Sequence, residues 1–160
     1  MNIVVQKNIG AIVGLARAGA ASTLTAGGAG DATAVPGVWI DRQAIGQTYA
    51  AGSLPLSAAV GIAYSAVLAA GKALAMALQV DTSPDNGTTV NSLQTVASAQ
   101  VAASAAGGTV NGVASFAVSL TSAQRYVRFT WTPDLSNTTT DTAAIFPMVA
   151  FGGFDRLPTA

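Results

Sequence analysis

Glutamate, histidine and cysteine are absent from this sequence, and charge of either sign is scarce: 7 Lys+Arg and 7 Asp in 160 residues, cancelling to a formal net charge of zero. An average soluble domain is about a quarter charged, roughly 40 side chains at this length. Without histidine there is no ordinary general base for a serine nucleophile. Without cysteine there is neither a disulfide framework nor a thiolate metal site. Lys7 and Lys72 are the only lysines, and both look peripheral. A carboxylate pair would have to be built from aspartates alone. The composition therefore points away from an enzyme. Neutral net charge and the lack of a Lys/Arg cluster argue against nucleic acid, where affinity rests on neutralising phosphates. A free monomer with such a surface has little like-charge repulsion to keep it in solution, which suggests a surface meant to be covered by partners.

What is present is small and β-prone. The hydrophobic fraction is 51%, but alanine supplies much of it, and the larger apolar residues suffice for one compact domain rather than two. Thr, Ser and Gly are the polar residues of strands and turns. Near the start, Lys7, the apolar run Ile9–Ala16, Arg17 and the small residues 18–22 resemble an export signal in outline, but Arg17 interrupts a short run. The charge-free stretch Gln43–Gly71 contains Pro55 and several glycines, so no continuous span of about 20 strongly apolar residues forms and no membrane crossing is expected.

Residues 1–34, with Ala26-Gly27-Gly28-Ala29-Gly30, read as an extended N-terminal arm, and residues 35–160 as the folded domain. Within the arm Ile3, Val4, Val5, Ile9, Ile12, Val13 and Leu15 are apolar enough to grip a groove or to add a strand to a neighbour's sheet. Glycines raise the cost of ordering this segment, so order is expected only where a partner holds it.

Beyond the arm the pattern is period two between turn signals. Strands are expected at Val38–Ile40, Tyr49–Leu56, Ala73–Asp81, Leu93–Ala103, around Phe116–Leu120, through Val127–Trp131 and at Ala143–Phe151. In Ala73–Asp81, Leu74, Met76, Leu78 and Val80 alternate with Ala75, Ala77 and Gln79, so period two overrides the helical propensity of Ala and Leu. Thr132-Pro133-Asp134 should stop one strand, and Pro147 suggests an edge or bulge in the last. Seven or eight such strands make an all-β chain, an antiparallel β-sandwich or jelly roll with an extended N-terminal arm, with less than about a tenth in helix.

Three local features admit a chemical reading beside a structural one. Asp81-Thr82-Ser83-Pro84-Asp85-Asn86-Gly87 offers oxygens to calcium, yet Asn-Gly is a hairpin signal by itself and Asp at turns bonds its own backbone. Trp39, Tyr126 and Trp131 could stack on a sugar, but alternation sets Trp131 with Val127 and Phe129 on the core face. Arg125, Tyr126 and Arg128 form either a contact strand, since Tyr and Arg are enriched at binding hot spots, or a pair of snorkelling edge arginines. Asp41-Arg42 and Asp155-Arg156 suggest local ion pairs.

The order of these blocks carries a resemblance. A Gly/Ala-rich leader is followed by Gly37-Val38-Trp39-Ile40-Asp41-Arg42, the 81–87 turn, Arg125-Tyr126-Val127-Arg128-Phe129 and Gly152-Gly153-Phe154-Asp155-Arg156-Leu157-Pro158. This resembles the small jelly-roll structural proteins of tailed-phage heads, of the capsid decoration or cement type. The resemblance implies a virion protein assembled in the host cytoplasm. It further implies a homotrimer seated at three-fold positions that ties major capsid protein subunits together, with no cofactor and no small-molecule substrate. A minor head, neck or tail protein, and a secreted β-sandwich binding module, are the alternatives.

Overall fold

In a computed structural model, described over residues 13–47, 52–136 and 140–155, the chain forms ten strands and one short helix. They are β1 (Gly14–Arg17), β2 (Ser22–Thr25), β3 (Val35–Pro36), β4 (Ile40–Asp41), α1 (Arg42–Gln47), β5 (Pro55–Leu68), β6 (Lys72–Ser83), β7 (Asn91–Ser104), β8 (Gly108–Ser119), β9 (Tyr126–Leu135) and β10 (Thr142–Phe154). Every pairing is antiparallel. One sheet runs β1-β10-β5-β8, with β2 also on β10; the other runs β3-β9-β6-β7, with β4 also on β9.

The pairings are nested. β6 pairs with β7, β5 with β8, β3 and β4 with β9, and β1 and β2 with β10. The chain is thus one long hairpin whose tip is the turn after β6, rolled up so that successive layers fall in opposite sheets. That is the jelly-roll route to a closed two-sheet core.

Alternation builds the interior. Leu74, Met76, Leu78 and Val80 of β6 face inward and are buried, as the period-two pattern requires. They meet Val60 and Ile62 of β5, Phe129 and Trp131 of β9, and Ile145 and Phe151 of β10 in one cluster. Phe129 and Phe151 tilt against each other across the two sheets, ring centroids 6.3 Å apart. At this level the all-β expectation and the core placement of Trp131 agree with the structure.

Four expectations change. The sheet begins at Gly14, not near residue 35. β1 and β2 cover the side of β10 that β5 leaves free, and Ala18, Leu24 and Ala26 are buried. The glycine-rich segment is a tied turn: Asp31 accepts from Gly27 N at 2.7 Å and from Leu135 N at 2.8 Å. Four-residue strands are too short to show a period, which is why the segment resembled an arm. Residues 1–12, with Ile3, Val4, Val5, Ile9 and Ile12, lie outside the described residues.

Second, β5 extends from Pro55 to Leu68, a 14-residue central strand where a strand over Tyr49–Leu56 was expected. Residues 48–51 lie outside the described residues. Third, Pro133 does not stop β9, which continues to Leu135 with Pro133 opposite Met76. The Pro133 carbonyl accepts from Ala32 N on the side away from β6. A residue's N–H and C=O share a side in a strand, so the missing N–H costs no bond to β6. Fourth, Pro147 sits inside the sheet, opposite Ile62 on β5. On its other side it meets the break between β1, which ends at Arg17↔Met148, and β2, which starts at Ser22↔Ile145.

Candidate interaction surface

Two ion pairs come together at one corner, each neutral in itself. Arg125, just before β9, grips Asp41 with two nitrogens, Nη2 at 2.6 Å and Nε at 3.1 Å from Oδ2. Arg128, on β9, meets Asp81 at 2.8 Å, and its guanidinium stacks 4.7 Å from the centre of the Trp39 ring. Arg125 lies 5.1 Å over the ring of Tyr126. The structure does bring Arg125, Tyr126 and Arg128 to one patch, but both arginines already hold carboxylates of their own chain. Asp41 pairs across the sheet with Arg125 rather than with its neighbour Arg42.

Arg42 is the residue that sequence reasoning missed. It is 2% exposed and donates to four backbone carbonyls: Pro55 (2.6 Å), Leu120 (2.9 Å), Gln124 (3.0 Å) and Ala123. Burial pushes its pKa down, opposed by the charge of Asp155. It ties the start of α1 to the β8–β9 connection. Asp155 itself accepts from Leu54 N at 2.7 Å and from Ser53 Oγ at 3.2 Å.

The 81–87 turn uses its oxygens internally. Ser83 Oγ accepts from Gly87 N (2.8 Å) and donates to Asp85, whose carboxylate also takes Thr89 N (2.7 Å) and Thr89 Oγ1 (2.8 Å). Asn86 and Gly87 both have positive φ, 56° and 95°, and Trp39 packs on Gly87. Asp81 points to Arg128 and Gln79. The arrangement is a hydrogen-bonded hairpin tip.

These carboxylates give the fold a definite acid limit. Asp41 is held below the usual carboxylate range, first by the Arg125 hydrogen bonds; Asp85 is lowered first by the Thr89 backbone N–H. A depressed folded pKa stabilises the fold fully above the unfolded value of about 3.9 and loses that contribution as pH falls through the folded value. The thermal midpoint should therefore hold between about pH 7 and pH 5 and drop below about pH 4. Asp41→Asn should shrink the drop; an unchanged pH profile in that variant would remove Asp41 from the account.

Away from this corner the surface is nearly uncharged. β7 and β8, edge strands of 14 and 12 residues, carry no charged side chain. They run along one side of the sandwich, where Gln94 donates to the Ala117 carbonyl at 3.4 Å. Edge strands are normally guarded by charge, proline, bulges or cover; β7 has three register irregularities against β6, and β8 pairs with β5 without any. The outer face of the β1-β10-β5-β8 sheet carries an apolar patch among Ser, Thr and Asn side chains, with Leu15 68%, Val113 66%, Met148 53% and Phe146 50% exposed. Val13 lines a shallow groove on it with Ala150, Ala59 and Ala117. Among the described residues Arg17 is the only charged side chain on that face, and its Nε donates to Gly19 O at 2.6 Å. The sequence did hold the signal: Phe146 and Met148 lie on the other register of a strand already apolar at Ile145 and Val149, so β10 is apolar on both faces.

No family model and no curated protein matches this chain. Among solved structures it is similar to the VP2 subviral particle of infectious bursal disease virus, with 12% identity over 87% of this chain and 32% of that one, and a TM-score of 0.43. A second structure of the virus, of the Gt strain, gives a TM-score of 0.42 at the same identity and coverage. This chain thus spans about a third of the length of those proteins. A likeness that loose leaves function to be argued from the chain itself.

Proposed function

We propose that this chain is a structural, non-enzymatic virion protein, a decoration or cement subunit that binds the major capsid protein lattice of a phage head as a homotrimer. The observation that carries the reading is the pair of long edge strands β7 and β8 without a single charged side chain. A free protein with such edges is prone to pair with other chains, whereas a subunit covered by a lattice needs no guard. Small Ala, Ser and Thr side chains lose little rotamer entropy on burial and bring no unpaired charge into an interface. The block resemblance of the sequence supports the same reading.

On this reading the protein acts mechanically, adding buried interface between neighbouring capsid subunits. It uses no cofactor, nucleic acid, membrane or small-molecule substrate, and it resides in the virion after assembly in the host cytoplasm. Residues 1–12 grip a neighbouring subunit through Ile3, Val4, Val5, Ile9 and Ile12, next to Val13 and Leu15 at the sheet margin. Arg125, Tyr126 and Arg128 present their self-neutralised patch to the lattice.

The test is the copy number of this chain in purified virions, by quantitative mass spectrometry. Hundreds of copies are expected; a dozen or fewer would place it among minor head, neck or tail proteins instead. Removing residues 2–12 should lower capsid occupancy while the sandwich, which starts at Gly14, stays folded.

A further inference from the structure

We infer that the outer face of the β1-β10-β5-β8 sheet is where copies of this chain meet one another. The face has two unlike halves, fixed by strand register. Met148 lies directly across from Gly61, Phe146 from Ala63, and Gly61 in turn from Ser115. A ridge of Phe146 and Met148 on β10 therefore runs beside a trough floored by Gly61 and Ala63 on β5. Val113 on β8 walls the far side of the trough. The trough is open above Gly61, where an added Cβ would touch only Val113 Cγ1 at 3.7 Å. A second copy turned about a two-fold axis along the strands can set its ridge into this trough while its own trough receives the first copy's ridge, an isologous contact.

Area and charge favour a second copy as the occupant. Strands rise about 3.4 Å per residue and lie about 4.8 Å apart, so the three long strands β5, β8 and β10, of 12 to 14 residues, together with the four-residue β1 and β2 beside β10, cover roughly 750 Å². Stable complexes bury about 800 Å² per partner. Like faces normally repel through like charges, but here Arg17, at the margin, is the only charged group among the described residues. The contact stands on the face alone. It is separate from the trimer of the proposed function, which would use other surfaces.

Sedimentation velocity on the purified full chain tests this without a virion. The wild type should sediment as a dimer at tens of micromolar, or as a hexamer where the trimer of the proposed function also forms. Met148→Asp buries a charge in the contact, and Gly61→Leu fills the trough while adding no charge; each should weaken association by about 100-fold. Thr132→Asp, on the opposite sheet, should leave it unchanged. Circular dichroism identifies any variant that fails to fold, and Gly61→Leu, whose Cβ has room, keeps the test decisive if Met148→Asp fails. A monomeric wild type, or an oligomer indifferent to both face variants, overturns the inference. A trimer sensitive to both confirms the face and overturns the two-fold geometry. The virion copy number is independent of all these outcomes.

Discussion

Arg42→Ala is expected to destabilise the fold by about 3–5 kcal/mol, the cost of leaving several buried carbonyls without their donor. The guanidinium serves four carbonyls from three segments of chain: Pro55 at the start of β5, Leu120 after β8, and Ala123 with Gln124 before β9. Alanine would leave those oxygens facing a void, and each unsatisfied buried group costs about 1–3 kcal/mol if water cannot reach it. Arg42→Lys should recover only part of the loss, because an ammonium has three donors at one point and cannot span the fork. Urea denaturation at neutral pH would show the midpoint falling with little change in slope. A midpoint within experimental error of the wild type in Arg42→Ala would show that the cluster is solvated and the argument wrong.

Trp131→Ala should cost a similar amount, about 3–5 kcal/mol, by leaving a large cavity at the centre of the sandwich. The ring is fully buried, and its outer end lies against Gly19, where a Cβ would collide with the ring. Gly37 N bonds to Phe129 O and Val38 N to Ala18 O, each at 2.9 Å, so the chain on both sides of the indole is pinned. Relaxation into the void is therefore limited, which places the cost in the upper range. Trp131→Phe should cost clearly less, since the indole Nε1 meets no acceptor among the described residues and most of the ring volume is kept. Gly19→Ala should also destabilise, by overpacking of about 1–3 kcal/mol. If Gly19→Ala proved neutral, the segment after β1 would be free to lift off the core, and the placement of β1 and β2 in the sheet would need revision.

Residues 14–34 mark the limit of what local pattern reveals. Glycine and alanine in that segment suggest an arm, because nothing within four residues shows a period. Its order comes from partners more than a hundred residues away: β10 for the two strands, Leu135 for Asp31. Removing residues 2–25 would thus strip two strands from the sheet, whereas removing 2–12 leaves every described strand intact. The arginines show the same limit. Asp41-Arg42 looks like a local pair, yet Asp41 joins Arg125, 84 positions on, and Arg42 turns inward to carbonyls. Adjacent residues on a chain leaving a strand point in different directions, so sequence adjacency says little about which charges meet.

The sequence by itself determined the class of the fold, the inward face of its strands and the poverty of its chemistry. Alternation of Leu74, Met76, Leu78 and Val80, and of Val127, Phe129 and Trp131, is a local property; once one face must be buried, period two leaves a single choice of which side turns in. The absence of histidine, cysteine and glutamate is likewise a fact that no folding can change. Only the tertiary structure decided the nested pairing, the recruitment of residues 14–25, the burial of Arg42 and the ridge beside its trough. Each of these depends on register between strands distant in sequence, which is set by the simultaneous closure of both sheets around one core. Met148 stands next to Gly61 because β10 and β5 pair in that register, and no local signal in either strand specifies it.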